Sequence, residues 1–123
     1  MEPVETDEAP AAVGAYSQGT VTDDLVFTAG QIPLTPDGEM VDGTVAEQTE
    51  RALENVAAVL KAGGSSLEDA VKVTVFLEDI DDFDEMNDVY ETFFDDGPPA
   101  RSAVEVGNVP KGAAVEIEAV GAR

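Results

Sequence analysis

The sequence predicts a single α+β domain in which two helices cover one face of a mixed β-sheet. Two patterns carry this prediction. Apolar residues alternate at every second position over short segments, and they recur at helical spacing over two longer segments. A length of 123 residues suits one domain, and an apolar content of 43% is ordinary for a globular protein. The elements follow the order β…α-β-α-β-β, without an internal repeat or an interdomain linker.

The first part of the chain predicts a loose segment, a strand and a connection of turns. Residues 1–8 are acidic and without pattern, so we expect a loose lead-in before a domain over residues 9–123. Residues 25–29 (LVFTA) favour a strand, which Gly30 ends. Prolines, glycines and aspartates make residues 33–43 rich in turns.

A helix is predicted to begin after Thr44. Thr44 and Glu47 form a capping box, in which each side chain binds the backbone amide of the other residue. Gly63 and Gly64 end the helix, because glycine accepts the left-handed conformation at a helix C-terminus. One apolar stripe follows helical spacing: Val45, Ala52, Val56, Val59 and Leu60.

Residues 70–77 (AVKVTVFL) predict a strand that is apolar on both faces. One face carries Val71, Val73, Val75 and Leu77. The other carries Lys72, Thr74 and Phe76. We therefore expect one face to meet the helices and the other to meet a different partner.

A second helix is predicted over residues 81–95, with acids in its first turn that the helix dipole favours. Residues 97–99 (GPP) stop this helix. Its predicted buried stripe is Phe83, Met86, Tyr90, Phe93 and Phe94.

Two final strands, 100–106 and 113–120, are predicted to pair as a hairpin centred near Val109 and Pro110. Ala103 then lies opposite Glu116, with Arg101 as a diagonal neighbour. This pair has two interpretations. It is a cross-strand ion pair, or it is an arginine that binds a carboxylate beside a glutamate that orients water.

Other candidate residues are also open to two interpretations. Tyr16, in the segment GAYSQG, is either a packing residue or a residue that takes part in a reaction. Gly30, followed by Gln31, ends a strand or allows a close approach to the backbone. Asn87, on the apolar stripe of the second helix, ties down a loop or belongs to a site.

The composition excludes several classes of function. Twenty-seven acidic residues against six basic ones give a net charge of −21, which opposes binding to nucleic acid and to anionic lipid. The chain has no Cys and no His, which excludes disulfides, thiolate or imidazole catalysis and Cys/His zinc sites. No apolar run reaches membrane-spanning length and no leader opens the chain, so we expect a soluble cytoplasmic protein. Its acidity fits a halophilic, salt-accumulating cytoplasm.

Several segments in order resemble the RidA/YjgF family of reactive-intermediate deaminases. They include APAAVGAYSQG (9–19), FTAGQIPLTPDGEM (27–40), MNDVYETFF (86–94), PPARSAVEV (98–106) and VPKGAAVEIEAV (109–120). The resemblance implies a chorismate-mutase-like subunit, a homotrimer with sites at its interfaces, and no cofactor or metal. The implied reaction is hydrolysis of 2-imino or 2-enamino acids to 2-keto acids and ammonia, as in 2-iminobutanoate/2-iminopropanoate deaminases.

The resemblance also assigns roles to single residues. Arg101 would bind the substrate carboxylate and Glu116 would position the attacking water. The other implied site residues are Tyr16, which lines the pocket, Gly30, which offers its backbone, Gln31 and Asn87 as supports, and Ala103, whose carbonyl binds water.

The chain departs from the family pattern at two of its alanines. Ala29 stands where the family often has a hydroxyl residue, and Ala103 stands where it often has Cys. Ala103 keeps the backbone carbonyl, whereas Ala29 loses a polar contact that bears on substrate range.

A second functional hypothesis is a non-catalytic trimer that binds metabolites or a protein partner. The family's older labels of ribonuclease and translation inhibitor are disfavoured here by the charge and by the lack of His.

The charge generates a prediction about stability. Raising KCl to molar levels should raise the thermal unfolding midpoint steeply, because a Debye length of about 3 Å at 1 M screens the repulsion among the acids. Sucrose, which screens no charge, is the control. An unchanged midpoint between low and molar KCl would contradict this interpretation.

Overall fold

One mixed sheet of six strands organises the computed structural model, which describes residues 1–94 and 96–123. The strands are β1 (Glu2–Val4), β2 (Gly19–Val21), β3 (Leu25–Thr28), β4 (Ala70–Leu77), β5 (Ala100–Glu105) and β6 (Val115–Ala122). Their order across the sheet is β1-β2-β3-β6-β4-β5. β4 and β5 are parallel, and the other pairs are antiparallel. The α+β prediction is confirmed.

The first helix, α1 (Val45–Ala62), begins and ends as predicted. The Thr44 hydroxyl accepts a hydrogen bond from the Glu47 amide at 3.1 Å, and the Glu47 carboxylate accepts one from the Thr44 amide at 3.0 Å. Gly64 follows the helix with a φ of +93°, in the left-handed region that favours glycine. Four of the five residues in the predicted stripe are buried: Ala52, Val56, Val59 and Leu60.

The second helix, α2 (Phe83–Phe93), is shorter than predicted. A separate 3-10 turn over Ile80–Asp82 precedes it, because the Asp79 carboxylate accepts a hydrogen bond from the Asp81 amide at 2.9 Å. The predicted end at Asp95 lies outside the described residues. Met86 and Tyr90 are buried in the core, and the three phenylalanines of the stripe pack against it.

β4 lies inside the sheet and separates its two faces. Val73, Val75 and Leu77 are fully buried on the face that the helices cover. Val71 was expected beside them but is 48% exposed, because the register with β6 shifts at this position and breaks the alternation. The opposite face, which we call the open face, includes the half-buried residues Lys72, Thr74 and Phe76 of β4.

The loose lead-in predicted for residues 1–8 is wrong for Glu2–Val4, which form β1 and pair with β2. This strand has a single inward apolar residue, Val4, which is buried. Because only one of its three side chains points inward, β1 has no alternating apolar pattern from which a strand could be predicted.

The predicted hairpin of the last two strands is also wrong. β4, α2 and β5 form a crossover unit that makes β4 and β5 parallel neighbours. β6 then pairs with the other edge of β4 and with β3. Ala103 therefore pairs with Val75, and Glu116 pairs with Phe76.

No helix among residues 1–94 and 96–123 is both long enough and apolar enough to cross a membrane.

Candidate active site

Glu116 projects from the open face of β6 into a cleft of about 600 Å³, which we call the Glu116 cleft. Most of the lining is apolar, so a small organic molecule would lose much of its contact with water there. Besides Glu116, the lining includes Tyr16, Gln18, Ala29, Gly30, Gln31, Ile32, Leu34, Pro110 and Lys111.

The Gly30 backbone lies directly against the Glu116 carboxylate. A Cβ atom at position 30 would lie 2.5 Å from Glu116 Oε2, so any larger residue there would displace the Glu116 carboxylate from its present position. Gln31 fixes the segment to β6, because its amide donates to the Ile117 carbonyl at 2.7 Å and its carbonyl accepts from the Ile117 amide at 3.0 Å. The Gly30–Gln31 segment therefore belongs to the cleft rather than only ending a strand.

Burial raises the pKa of the Glu116 carboxyl above its ordinary value, and the neighbouring Glu118 carboxylate raises it further. A carboxyl group with a raised pKa can hold a proton closer to neutral pH than an exposed glutamate can.

The N-terminal segment forms one wall of the cleft. The Tyr16 ring is 54% exposed there, and its hydroxyl accepts a hydrogen bond from the Val13 amide at 3.4 Å. Gln18 is buried and ties the wall together: it accepts from the Thr6 amide at 2.7 Å and donates to the Pro10 carbonyl at 2.7 Å. Gln18 was not predicted as a site residue, although it is the last polar residue of the segment GAYSQG.

Arg101 lies on the other face of the sheet, against α2. Its Nη1 donates to Asn87 Oδ1 at 2.7 Å. The guanidinium carbon lies 4.6 Å from the centre of the Tyr90 ring and 5.3 Å from that of the Phe83 ring. Both distances permit cation–π attraction. Phe83 and Tyr90 were predicted as core residues, and their contact with Arg101 was not foreseen.

Arg101 opens onto a second cavity of about 380 Å³, which we call the Arg101 cavity. Its lining residues are Asn87, Tyr90, Glu91, Phe94, Pro98, Pro99 and Arg101. Burial raises the pKa of the Tyr90 phenol above its ordinary value, although the Arg101 charge acts in the opposite direction, so Tyr90 stays neutral. Over residues 1–94 and 96–123, the one ion pair is that of Arg51 with Glu54 at 3.6 Å, so Arg101 has no acidic partner there.

Arg101 and Glu116 of one protomer cannot act on one small molecule. Arg101 is level with Val73 and Glu116 with Phe76, so they lie three residues apart along β4, about 10 Å. They are also two strands apart, which adds about 10 Å across the sheet. Their side chains point to opposite faces. Neither the cross-strand ion pair nor a shared site exists within one chain.

The structure thus divides the predicted site residues into two groups. Tyr16, Gly30, Gln31 and Glu116 lie together at the Glu116 cleft. Asn87 and Arg101 lie together at the Arg101 cavity. Ala103 lies beside them on β5 and packs partly against the core. In the part of the chain that the structure describes, no group of three or more acidic side chains is arranged to hold a metal ion.

The profile of the family described as Endoribonuclease L-PSP matches residues 6–123. A RutC family protein of Pyrococcus abyssi is 48% identical over 120 residues, which are 97% of this chain and 94% of the relative. A protein of Rattus norvegicus named 2-iminobutanoate/2-iminopropanoate deaminase is 45% identical over 118 residues, which are 95% of this chain and 86% of the relative.

Solved structures agree with the fold over its full length. A putative endoribonuclease of Thermotoga maritima has a TM-score of 0.96 and 50% identity, covering 100% of this chain and 98% of that one. E. coli TdcF, solved with bound serine, has a TM-score of 0.95 and 43% identity, covering 100% and 99%. The chain therefore belongs to the Endoribonuclease L-PSP family, also called the YjgF/RidA family, as its sequence resemblance indicated.

Proposed function

We propose that this protein hydrolyses reactive 2-imino and 2-enamino acids to 2-keto acids and ammonia. The observation that carries the proposal is the state of Arg101, an arginine in a strongly acidic chain that makes no ion pair with residues 1–94 and 96–123 and is held there by an amide and two rings. Such a guanidinium can bind a carboxylate through two parallel hydrogen bonds. Relatives at about 45% identity that carry the deaminase name support the same reaction.

The reaction needs one carboxylate contact and one proton carrier. Arg101 binds the substrate carboxylate and fixes the position of the imine carbon. Glu116 accepts a proton from water as the water oxygen attacks that carbon and the C=N electron pair moves to nitrogen. Glu116 returns this proton to nitrogen, which gives a carbinolamine. Glu116 then takes the proton of the new hydroxyl group and passes it to nitrogen, so that the C–N bond breaks, ammonia leaves and the C=O bond forms. Hydrolysis changes no oxidation state, so these steps require no redox cofactor.

We propose that the site is shared between protomers of a homotrimer, in which Arg101 of one chain faces Glu116 of another. The separation of the two side chains within a chain supports this arrangement. β5 is an edge strand, so its backbone and side chains are accessible to a neighbour. The open face also exposes apolar side chains, among them Phe27 and Val104, that an assembly would cover.

A trimer that binds small molecules without turnover is the second candidate. The relative solved with bound serine favours it, since serine carries the same carboxylate that Arg101 would bind. Ammonia release from freshly generated imine separates the two, because a binder would not accelerate it. Binding to RNA at varied salt tests the nuclease function, which the net charge of −21 disfavours.

The proposed assembly predicts a mass of about three times 12.8 kDa by light scattering in molar KCl. Val104→Asp should lower this mass, because it buries a charge on the open face. Ile80→Asp is the matched control: Ile80 is 44% exposed and Val104 43%, but Ile80 lies on a turn outside the sheet. The mass of a single protomer for the parent protein would contradict the trimer.

The proposed chemistry predicts that Arg101→Ala abolishes accelerated imine hydrolysis while the mass of the assembly is unchanged. Arg101→Lys should recover little, because an ammonium group cannot reproduce the two parallel hydrogen bonds. Glu116→Gln should still bind a keto acid but lose about 100-fold or more in kcat. The assay couples an imine-generating oxidase or dehydratase to ammonia detection. Wild-type acceleration in both the Arg101→Ala and Glu116→Gln variants would show that these residues are structural.

The pH dependence of the hydrolysis rate tests whether Glu116 is the base. The wild-type rate should fall as the pH drops through the raised pKa of Glu116, where the base becomes protonated. Glu118→Gln removes a charge that raises this pKa, so the acid limb of the profile should move to lower pH. An acid limb that does not move would show that Glu116 is not the group that titrates.

A further inference from the structure

Among the residues that the structure describes, the groups in direct contact with Arg101 are neutral, although the protein is strongly acidic and Glu91 lines the same cavity. Its hydrogen-bond partner is an amide, and its two stacking partners are rings. Arg51 shows the alternative in the same chain: its guanidinium pairs with the Glu54 carboxylate at 3.6 Å and donates to Asn55 Oδ1 at 2.7 Å. Arg51 thus has an acidic partner, whereas Arg101 forms no ion pair with any residue in 1–94 or 96–123.

We propose that Asn87, Phe83 and Tyr90 form a neutral cradle that holds Arg101 in place without offsetting its charge, and that the amide at position 87 sets the affinity for the substrate carboxylate. The inference rests on the proposed function, because it assumes that Arg101 binds this carboxylate. Asn87, Phe83 and Tyr90 are positioning residues in this account.

The orientation of the Asn87 amide is fixed from its other side. Asn87 Nδ2 donates to Glu91 Oε1 at 3.2 Å, which leaves Oδ1 as the atom that faces Arg101. Glu91 thus acts on Arg101 through a neutral group and does not pair with it directly. Arg101 Nη1 is occupied by Asn87, and a guanidinium has further N–H groups on Nη2 and Nε for a bidentate ligand.

Two aromatic rings lie close to the guanidinium and restrain its position. Its carbon lies 4.6 Å from the centre of the Tyr90 ring and 5.3 Å from that of the Phe83 ring. Cation–π attraction to a ring occupies no conventional hydrogen-bond acceptor, so the N–H groups that do not bind Asn87 can still bind a ligand. The cradle therefore leaves N–H groups of Arg101 for the carboxylate of a ligand.

Asn87→Asp tests the cradle with almost no change of shape. It places a carboxylate where Oδ1 now accepts from Arg101, and this fixed charge competes with the ligand's carboxylate. The dissociation constant of pyruvate, measured by calorimetry, should rise about 10-fold or more, and KM should rise with it while kcat changes much less. Asn108→Asp, the same substitution on an exposed loop residue, is the control and should leave both constants unchanged.

A second measurement follows Arg101 without any ligand. The guanidinium N–H signals of Arg101 should show ring-current shifts in NMR spectra, because the group lies over the Tyr90 ring. Tyr90→Phe keeps the ring and should keep these shifts, whereas Tyr90→Leu should lose them. Unshifted Arg101 signals in the parent protein would overturn the cradle even if a variant failed to fold.

The outcomes separate this inference from the proposed function. If the protein hydrolyses no imino acid but binds pyruvate, and Asn87→Asp weakens that binding, the hydrolysis proposal fails and the cradle stands. If Asn87→Asp binds pyruvate as tightly as the parent protein, the cradle is wrong whatever the result for hydrolysis. If the parent protein does not bind pyruvate at all, both proposals are overturned.

Discussion

The position of β4 between β5 and β6 determines where the candidate site residues lie. The crossover through α2 makes β5 a parallel neighbour of β4, so β6 must pair on the other side. Arg101 is thereby directed toward the helices and Glu116 toward the open face. A cation that binds a carboxylate and a carboxylate that activates water are both present, yet one protomer cannot bring them to the same molecule. The proposed chemistry therefore requires the proposed assembly.

The electrostatics of the chain give the two charged groups different surroundings. Acidic residues dominate the sequence, yet in the described part of the chain the groups that contact Arg101 are neutral. Glu116 instead lies in a mostly apolar cleft next to another acid, and both effects raise its pKa. The proposed shared site would therefore combine a cation that forms no ion pair among the described residues with a carboxyl group that holds a proton at a higher pH than usual. These are the properties that imine hydrolysis requires of its binding group and its proton carrier.

The sequence predicted the features that depend on residues close together in the chain. It did not predict how strands from distant segments pair in the sheet. The capping box at Thr44, the stripe of α1 and the central strand were predicted correctly, because each depends on residues close together in the chain. The hairpin was wrong because strand order depends on the crossover, which no local pattern in the last two strands records. Gln18 and the contact of Tyr90 with Arg101 were not predicted, because both depend on contacts between separate segments of the chain. Local patterns identified the candidate site residues but left two interpretations for each. The family resemblance assigned their roles, and their division into two groups required the fold.

The most direct test of the shared site mixes two inactive variants. Arg101→Ala and Glu116→Gln protomers are unfolded together, refolded in molar KCl at equal amounts, and assayed for imine hydrolysis. If each site takes Arg101 from one chain and Glu116 from another, random mixing restores about one quarter of the sites, whereas each variant refolded alone stays inactive. A mixture that forms mixed trimers but recovers no activity would contradict the shared site.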